Sequence, residues 1–155
     1  MKKLAMVLML AAAVYGGWRW QREEAPADKR RAGLAFNRMW IDHLPSGEKD
    51  PFNILFLAKP ESIGGFAEET VWTGRIERFR FEADGETIRA VFPATGEREQ
   101  ITVKARACDE ADMDLCLEIS GTKRGVSKYY SRSGWERRHI SELSTFRDEL
   151  LRDAK

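Results

Sequence analysis

The chain has 155 residues, 43% of them hydrophobic and 33% charged, which are the proportions of a folded domain and exclude a disordered polyelectrolyte. Its length allows one domain. Lysine and arginine number 26 against 25 aspartates and glutamates, a formal charge of +1, so bulk attraction to nucleic acid is excluded as an organising feature.

The first segment reads as targeting. Lys2 and Lys3 supply a positive start, Leu4 to Tyr15 form an uncharged apolar run, and Gly16 and Gly17 follow, which is the order of a secretory signal. Cleavage after Gly16 places Val14 and Gly16 at the −3 and −1 positions. The alternative within residues 1–20 is an uncleaved anchor reaching Trp20, with Trp18 and Trp20 at the interface. Its apolar run is short against the ~20 residues a spanning helix needs, and Arg19, Arg22, Lys29, Arg30 and Arg31 lie on the translocated side. The expected location is periplasmic or extracellular, with a tether through residues 4–20 if the leader stays.

Residues 21–33 are charged, contain Pro26 and Gly33, and lack apolar periodicity, so they read as a linker. A single domain is expected over residues 34–155. Leu34 to Leu44 fits an opening strand or a short helix. Phe52 to Ala58 is apolar on both strand faces and predicts a strand covered on both sides. Pro60 to Gly65 is expected to interrupt it. Phe66 to Ala83 reads as one long strand whose apolar phase changes from Trp72 and Ile76 to Phe79 and Phe81, predicting a bulge near Arg75–Glu77 and a bend at Gly74.

Three hairpins follow. Asp84-Gly85 is a two-residue turn signal that sets Phe81 opposite Ile88 and Phe79 opposite Ala90. Gly96-Glu97 closes a second, setting Phe92 against Ile101, Ala90 against Val103 and Ile88 against Ala105. In a third, with Cys108 facing Cys116, Ala107 meets Leu117 and Ala105 meets Ile119. All three keep the apolar residues on one face. The cysteines then fall on the opposite face, among Lys104, Arg106, Asp114 and Glu118. As the only pair in an exported chain, Cys108 and Cys116 are expected to form a disulfide. Val126 to Ser131 reads as a further strand. Ile140 to Leu151 predicts an amphipathic helix with Ile140, Leu143, Phe146, Leu150 and Leu151 on one face and Ser141 as its cap.

These elements predict a mainly β fold: an antiparallel meander of about six to eight strands, curled into a barrel or half-barrel, with a C-terminal amphipathic helix. Phe79, Phe81, Ile88, Phe92 and Ile101 share one face, either as packed core or as the lining of a ligand cavity. No catalytic constellation emerges. Asp42 adjoins His43, but neither His43 nor His139 has an activated nucleophile in its sequence context. Asp109, Glu110, Asp112 and Asp114 form an acidic loop without the spacing of a calcium loop, and two isolated cysteines do not make a zinc site, so no metal and no cofactor are expected. Lys123, Arg124, Lys128, Arg132, Arg137 and Arg138 cluster around Tyr129, Tyr130 and Trp135, a combination that suits anionic surfaces or simply a solvated strand.

The exported chain, meandering strands with tight turns and closing helix Ile140–Leu151 together resemble a lipocalin-like, or calycin-type, barrel over roughly Trp40 to Lys155. Members commonly carry G-x-W near the first strand; here Gly16-Gly17-Trp18 lies in the leader, and Trp40 has no glycine two residues before it. The resemblance implies a small apolar ligand held inside the barrel. The expected function is therefore a non-enzymatic binding module of the cell envelope for such a ligand. The alternative is a structural or protein-interaction domain with a filled core and an envelope protein as partner. Nucleic acid is not expected as a partner, and membrane only through the N-terminal segment.

Overall fold

A computed structural model describes residues 33–47, 49–70 and 74–153. The leader, most of the linker, Trp72 and the two C-terminal residues lie outside these. Eight antiparallel strands follow one another around a closed barrel: β1 (Met39–Ile41), β2 (Phe52–Ala58), β3 (Ile63–Glu69), β4 (Gly74–Asp84), β5 (Thr87–Val91), β6 (Arg98–Glu110), β7 (Met113–Ser120) and β8 (Lys128–Ser131). A 3-10 turn at Ile140–Glu142 leads into α1 (Leu143–Asp153).

Period-two alternation builds two separate apolar clusters from these strands. Inward-facing side chains of Trp40, Leu55, Leu57, Phe66, Phe79, Phe81 and their counterparts on β5–β8 fill the barrel. The other face of β1–β3 carries Met39, Ile41, Phe52, Ile54, Phe56 and Ala67, and Leu143, Phe146 and Leu150 of α1 cover it. This is why Phe52–Ala58 is apolar at both phases: β2 is buried in the barrel on one side and under the helix on the other.

Residues 34–44 resolve into a helical turn at 33–35 and the short β1. The stretch from Phe66 to Ala83 is not one strand. It is a hairpin of β3 and β4, paired in constant register from Ile63↔Arg80 to Glu69↔Gly74. No bulge is needed near Arg75–Glu77, because Ile76 simply points outward and is 42% exposed. Strand β3 begins at Ile63, within the segment expected to break it, since Gly64 and Gly65 are buried in the sheet. A Cβ on Gly64 would overlap the Phe79 ring, so that ring occupies the space a side chain would need.

All three predicted registers are displaced, each by an even number of residues. Phe81 lies opposite Ala90, not Ile88. The turn there is Gly85-Glu86, with glycine at the first central position and φ of 59°, as a type II′ turn requires. Ile88 lies opposite Ile101, not Ala105, because the second connection is the four-residue loop 93–96 closed by Phe92 N–H donating to the Glu97 carbonyl at 2.9 Å. Ala105 lies opposite Leu117, not Ile119, because the third turn is Ala111-Asp112 between the paired residues Glu110 and Met113. An even displacement leaves every side chain on its face, which is why the inward set survives.

The one irregularity in pairing falls in β6, where Cys108 and Asp109 stand against Asp114 alone, between Ala107↔Leu115 and Glu110↔Met113. This two-against-one bulge lies at Cys108, which shares the strand face of Arg106, the residue paired with Cys116. Cys108 and Cys116 are joined by a disulfide with a Cα–Cα distance of 5.7 Å. The bond lies on the outer face, as expected, but Cys116 itself is fully buried beside Tyr130.

The barrel closes between β8 and β1 with a single ladder pair, Ile41↔Tyr130. Other groups complete the seam. The Ser131 hydroxyl donates to the Met39 carbonyl at 2.7 Å, and Met39 N–H donates to the Trp135 carbonyl at 3.0 Å. Arg137 N–H donates to the Asn37 carbonyl, and buried Arg38 reaches both the Arg132 carbonyl and Glu136. Ser141 is not the helix cap; it lies inside the 3-10 turn, and Glu142 instead accepts from the N–H groups of Arg138 and His139.

Candidate functional site: barrel interior and outer wall

Phe79, Phe81, Ile88, Phe92 and Ile101 are brought together in the barrel interior, each at most 5% exposed. Their rings pack on one another. Phe79 lies 5.3 Å from Phe66, 6.2 Å from Phe81 and 5.1 Å from Phe92, centroid to centroid, and Phe81 stacks on Phe36 at 5.8 Å. These are ordinary aromatic packing distances.

Both ends of the barrel carry a plug that sequence reasoning missed. At one end the helical turn 33–35 and Phe36 fold over the opening. Trp40 holds them there by donating its indole N–H to the Ala35 carbonyl at 3.0 Å. At the other end the Arg124 guanidinium lies over the Phe92 ring, 3.7 Å from its centroid. It is ion-paired with Glu77, Glu97 and Glu99, and the Glu77 contact measures 2.9 Å. Glu77 and Glu99 occupy inward phases of β4 and β6, so the end of the barrel ring is charged where its middle is apolar. Hydrogen bonding to Arg124 holds the Glu97 carboxyl below its usual range. Beneath this plug the Tyr129 hydroxyl accepts the Val126 N–H at 3.1 Å, and burial pushes its pKa up to about 12. Acidic residues at inward positions near strand ends were the available sequence signal.

The basic and aromatic segment singled out above is turned to internal use. Lys128 pairs with Glu110, Arg132 donates to the Asp112 carbonyl at 3.0 Å, and Arg137 pairs with Glu149 of α1 at 2.9 Å. Trp135 meets Phe146 edge to face at 5.0 Å, so this segment fastens the helix to the barrel. The acidic loop is likewise engaged. Glu110 is held by Lys128 and Arg106, and Asp114 accepts from the Ser133 hydroxyl and N–H; both carboxyls lie below their usual range for that reason.

The two histidines lie apart. His139 Nδ1 meets Glu61 at 2.7 Å, and His43 Nδ1 meets Asp42 at 2.9 Å. The nearby Ser46 hydroxyl donates to Asp50 at 2.8 Å, so it is bound to a carboxylate and not to an imidazole base.

A groove of about 930 Å³ at β4, β5 and β6 is lined by Arg80, Arg89, Val91 and Arg98, with Glu61, Glu82 and Glu99 also on its lining. The inward face of this same strand trio holds Phe79, Phe81, Ile88 and Ile101, with Phe92 directly after β5.

Protein-family models, curated proteins and solved structures return no match to this chain. Its class therefore rests on architecture, an eight-stranded antiparallel barrel with an external C-terminal helix, consistent with a calycin-type arrangement.

Proposed function

We propose that the protein is a filled-core barrel of the cell envelope that acts as a protein-interaction domain through its outer wall. Its place in the envelope is supported by the leader pattern of residues 1–17 and by the Cys108–Cys116 disulfide. Among the described residues no helix is long and apolar enough to cross a membrane. The observation that carries the functional reading is the interior itself. The Phe79 ring lies against Gly64, Phe66, Phe81 and Phe92, where a lipocalin-like binder needs room for its ligand. Plugs at both ends, Phe36 and Arg124, close the routes by which such a ligand would enter.

A fluorescent fatty acid titrated into the oxidised protein tests this. The unmodified barrel is expected to take up none saturably. Phe79→Ala removes the central ring, costs about 3–5 kcal/mol, and is expected to gain uptake by opening the space that ring fills. Phe92→Leu serves if that variant does not fold. Saturable one-to-one uptake by the unmodified protein would overturn the reading and restore an apolar ligand at Phe79, Phe81, Ile88, Phe92 and Ile101.

A further inference from the structure

The molecule is close to neutral, and several of its described cations are paired internally. Arg38, Arg106, Arg124, Lys128, Arg137 and Arg147 all have carboxylate partners within 4.0 Å. The outer wall of β4–β6 gathers arginines that are not so paired. Arg78, Arg80 and Arg98 are exposed and have no ion-pair partner among the described residues, and Arg89 has only a loose contact with Glu82 at 3.9 Å.

The strand register places these four side chains together. Arg80, Val91 and Arg98 form one row across three strands, and Glu82, Arg89 and Gln100 form the next. With strands about 4.8 Å apart, Arg80 and Arg98 stand roughly 10 Å from each other across Val91. Arg78 and Arg80 are one strand repeat apart, about 7 Å along β4. Of the acidic neighbours, Glu61 is held by His139, Glu99 points inward to Arg124 and Glu82 lies beside Arg89, which leaves Arg78, Arg80 and Arg98 without a carboxylate partner among the described residues. Between the arginines, Val91 is 39% exposed and offers an apolar floor.

Guanidinium groups favour carboxylates and phosphates that they grip with two parallel N–H bonds. A bilayer presents anions with no fixed spacing to this groove. An extended polypeptide fits it better, because its alternate side chains repeat at the same spacing of about 7 Å as Arg78 and Arg80. From this match of charge and spacing we infer that the β4–β6 groove is a docking site for an extended acidic segment of a partner protein. Acidic side chains at alternate positions meet Arg78, Arg80, Arg89 and Arg98, and an intervening contact rests on Val91. This deepens the interaction-domain reading and depends on it for the kind of partner.

The test is fluorescence anisotropy of a labelled peptide of alternating glutamate and valine, about twelve residues long, titrated with the full-length oxidised protein. Binding is expected, and it should weaken several-fold as salt rises from about 0.05 to 0.5 M, as screened contacts do. Arg80→Gln with Arg98→Gln is expected to weaken binding at least tenfold while the melting temperature stays unchanged. Arg106→Gln, on β6 but outside the groove, is expected to leave binding intact. Absence of binding, or equal binding by the Arg80/Arg98 variant, would overturn the inference. So would binding to vesicles of anionic phospholipid, lost in that variant, with none to the peptide; that result assigns the arginines to a membrane surface. Uptake of an apolar ligand in the fatty-acid titration would overturn the filled-core reading and leave the peptide result standing, so the two failures are distinguishable.

Discussion

Ala111 and Asp112 form the turn between β6 and β7 with φ of 54° and 60°. Two positive φ values in a two-residue hairpin are the signature of a type I′ turn, in which a Cβ is unfavourable and glycine or asparagine is the usual choice. Alanine at φ of 54° carries that cost without a side-chain hydrogen bond in return. Ala111→Gly is therefore expected to raise stability by about 0.5–1 kcal/mol, read as a higher urea midpoint at unchanged slope. A lower midpoint would mean that the turn tolerates alanine without strain. Ala-Asp lacks the Asn-Gly or Asp-Gly signal, so its residue types do not announce this turn in the sequence.

Glu69 is a second residue whose environment works against it. It is 4% exposed at the end of β3, its Oε2 has no hydrogen-bond partner, and Arg147 of α1 approaches only to 3.7 Å. Burial pushes its carboxyl above the ordinary value of 4.5, and Arg147 only partly opposes this. Because the folded protein holds the proton more tightly than the unfolded chain, the contribution to stability is present below the ordinary value. It is lost as pH rises through the folded pKa. Glu69→Gln removes that loss. The variant is expected to match the parent in thermal stability near pH 4 and exceed it at pH 7, since Gln keeps the shape without the buried charge. A variant that is less stable at both pH values would show that the Arg147 pair outweighs the burial.

At the level of elements, alternation told much more than turn chemistry did. Phe52–Ala58 was readable as a doubly covered strand because both phases are apolar, and its limits agree with β2. The inward set on β4–β7 was readable because parity alone assigns it. Absolute register was not, because each turn fixes it locally: glycine at the first turn position in Gly85-Glu86, four residues in the second loop, and two residues of positive φ in the third. The phase change between Ile76 and Phe79 misled for the opposite reason. It reflects an exposed apolar residue on the outer face and not a bulge, and no pattern separates those two cases.

The β6–β7 hairpin also carries the disulfide, which closes a loop with a sequence separation of 8. Loop-closure entropy for so short a span gives roughly 2–3 kcal/mol. Cys108→Ala with Cys116→Ala is expected to lower the melting temperature without abolishing the β-sheet circular dichroism, because β6 and β7 remain paired from Thr102↔Ser120 to Ala107↔Leu115. An unchanged melting temperature would show that the bulge already holds the hairpin in place.

For the whole molecule, the meander and its covering helix were legible, since eight strands in sequence order need only local turns. The plugs were not. Phe36 lies 45 residues from its partner Phe81, and Arg124 lies 32 residues from Phe92. Neither pairing has a local pattern that announces it. These two residues nonetheless separate a closed barrel from an open cup. The arginine groove was hidden differently: Arg78, Arg80, Arg89 and Arg98 look like ordinary solvated positions of three strands until the register aligns them around Val91.

The rings of Phe79, Phe81 and Phe92 pack on one another inside the barrel. The most direct measurement is native mass spectrometry of the oxidised protein purified from its native host. The mass of the polypeptide alone is expected. A reproducible additional mass of a small molecule, released on denaturation, would contradict it and place a ligand where Phe79, Phe81 and Phe92 now meet.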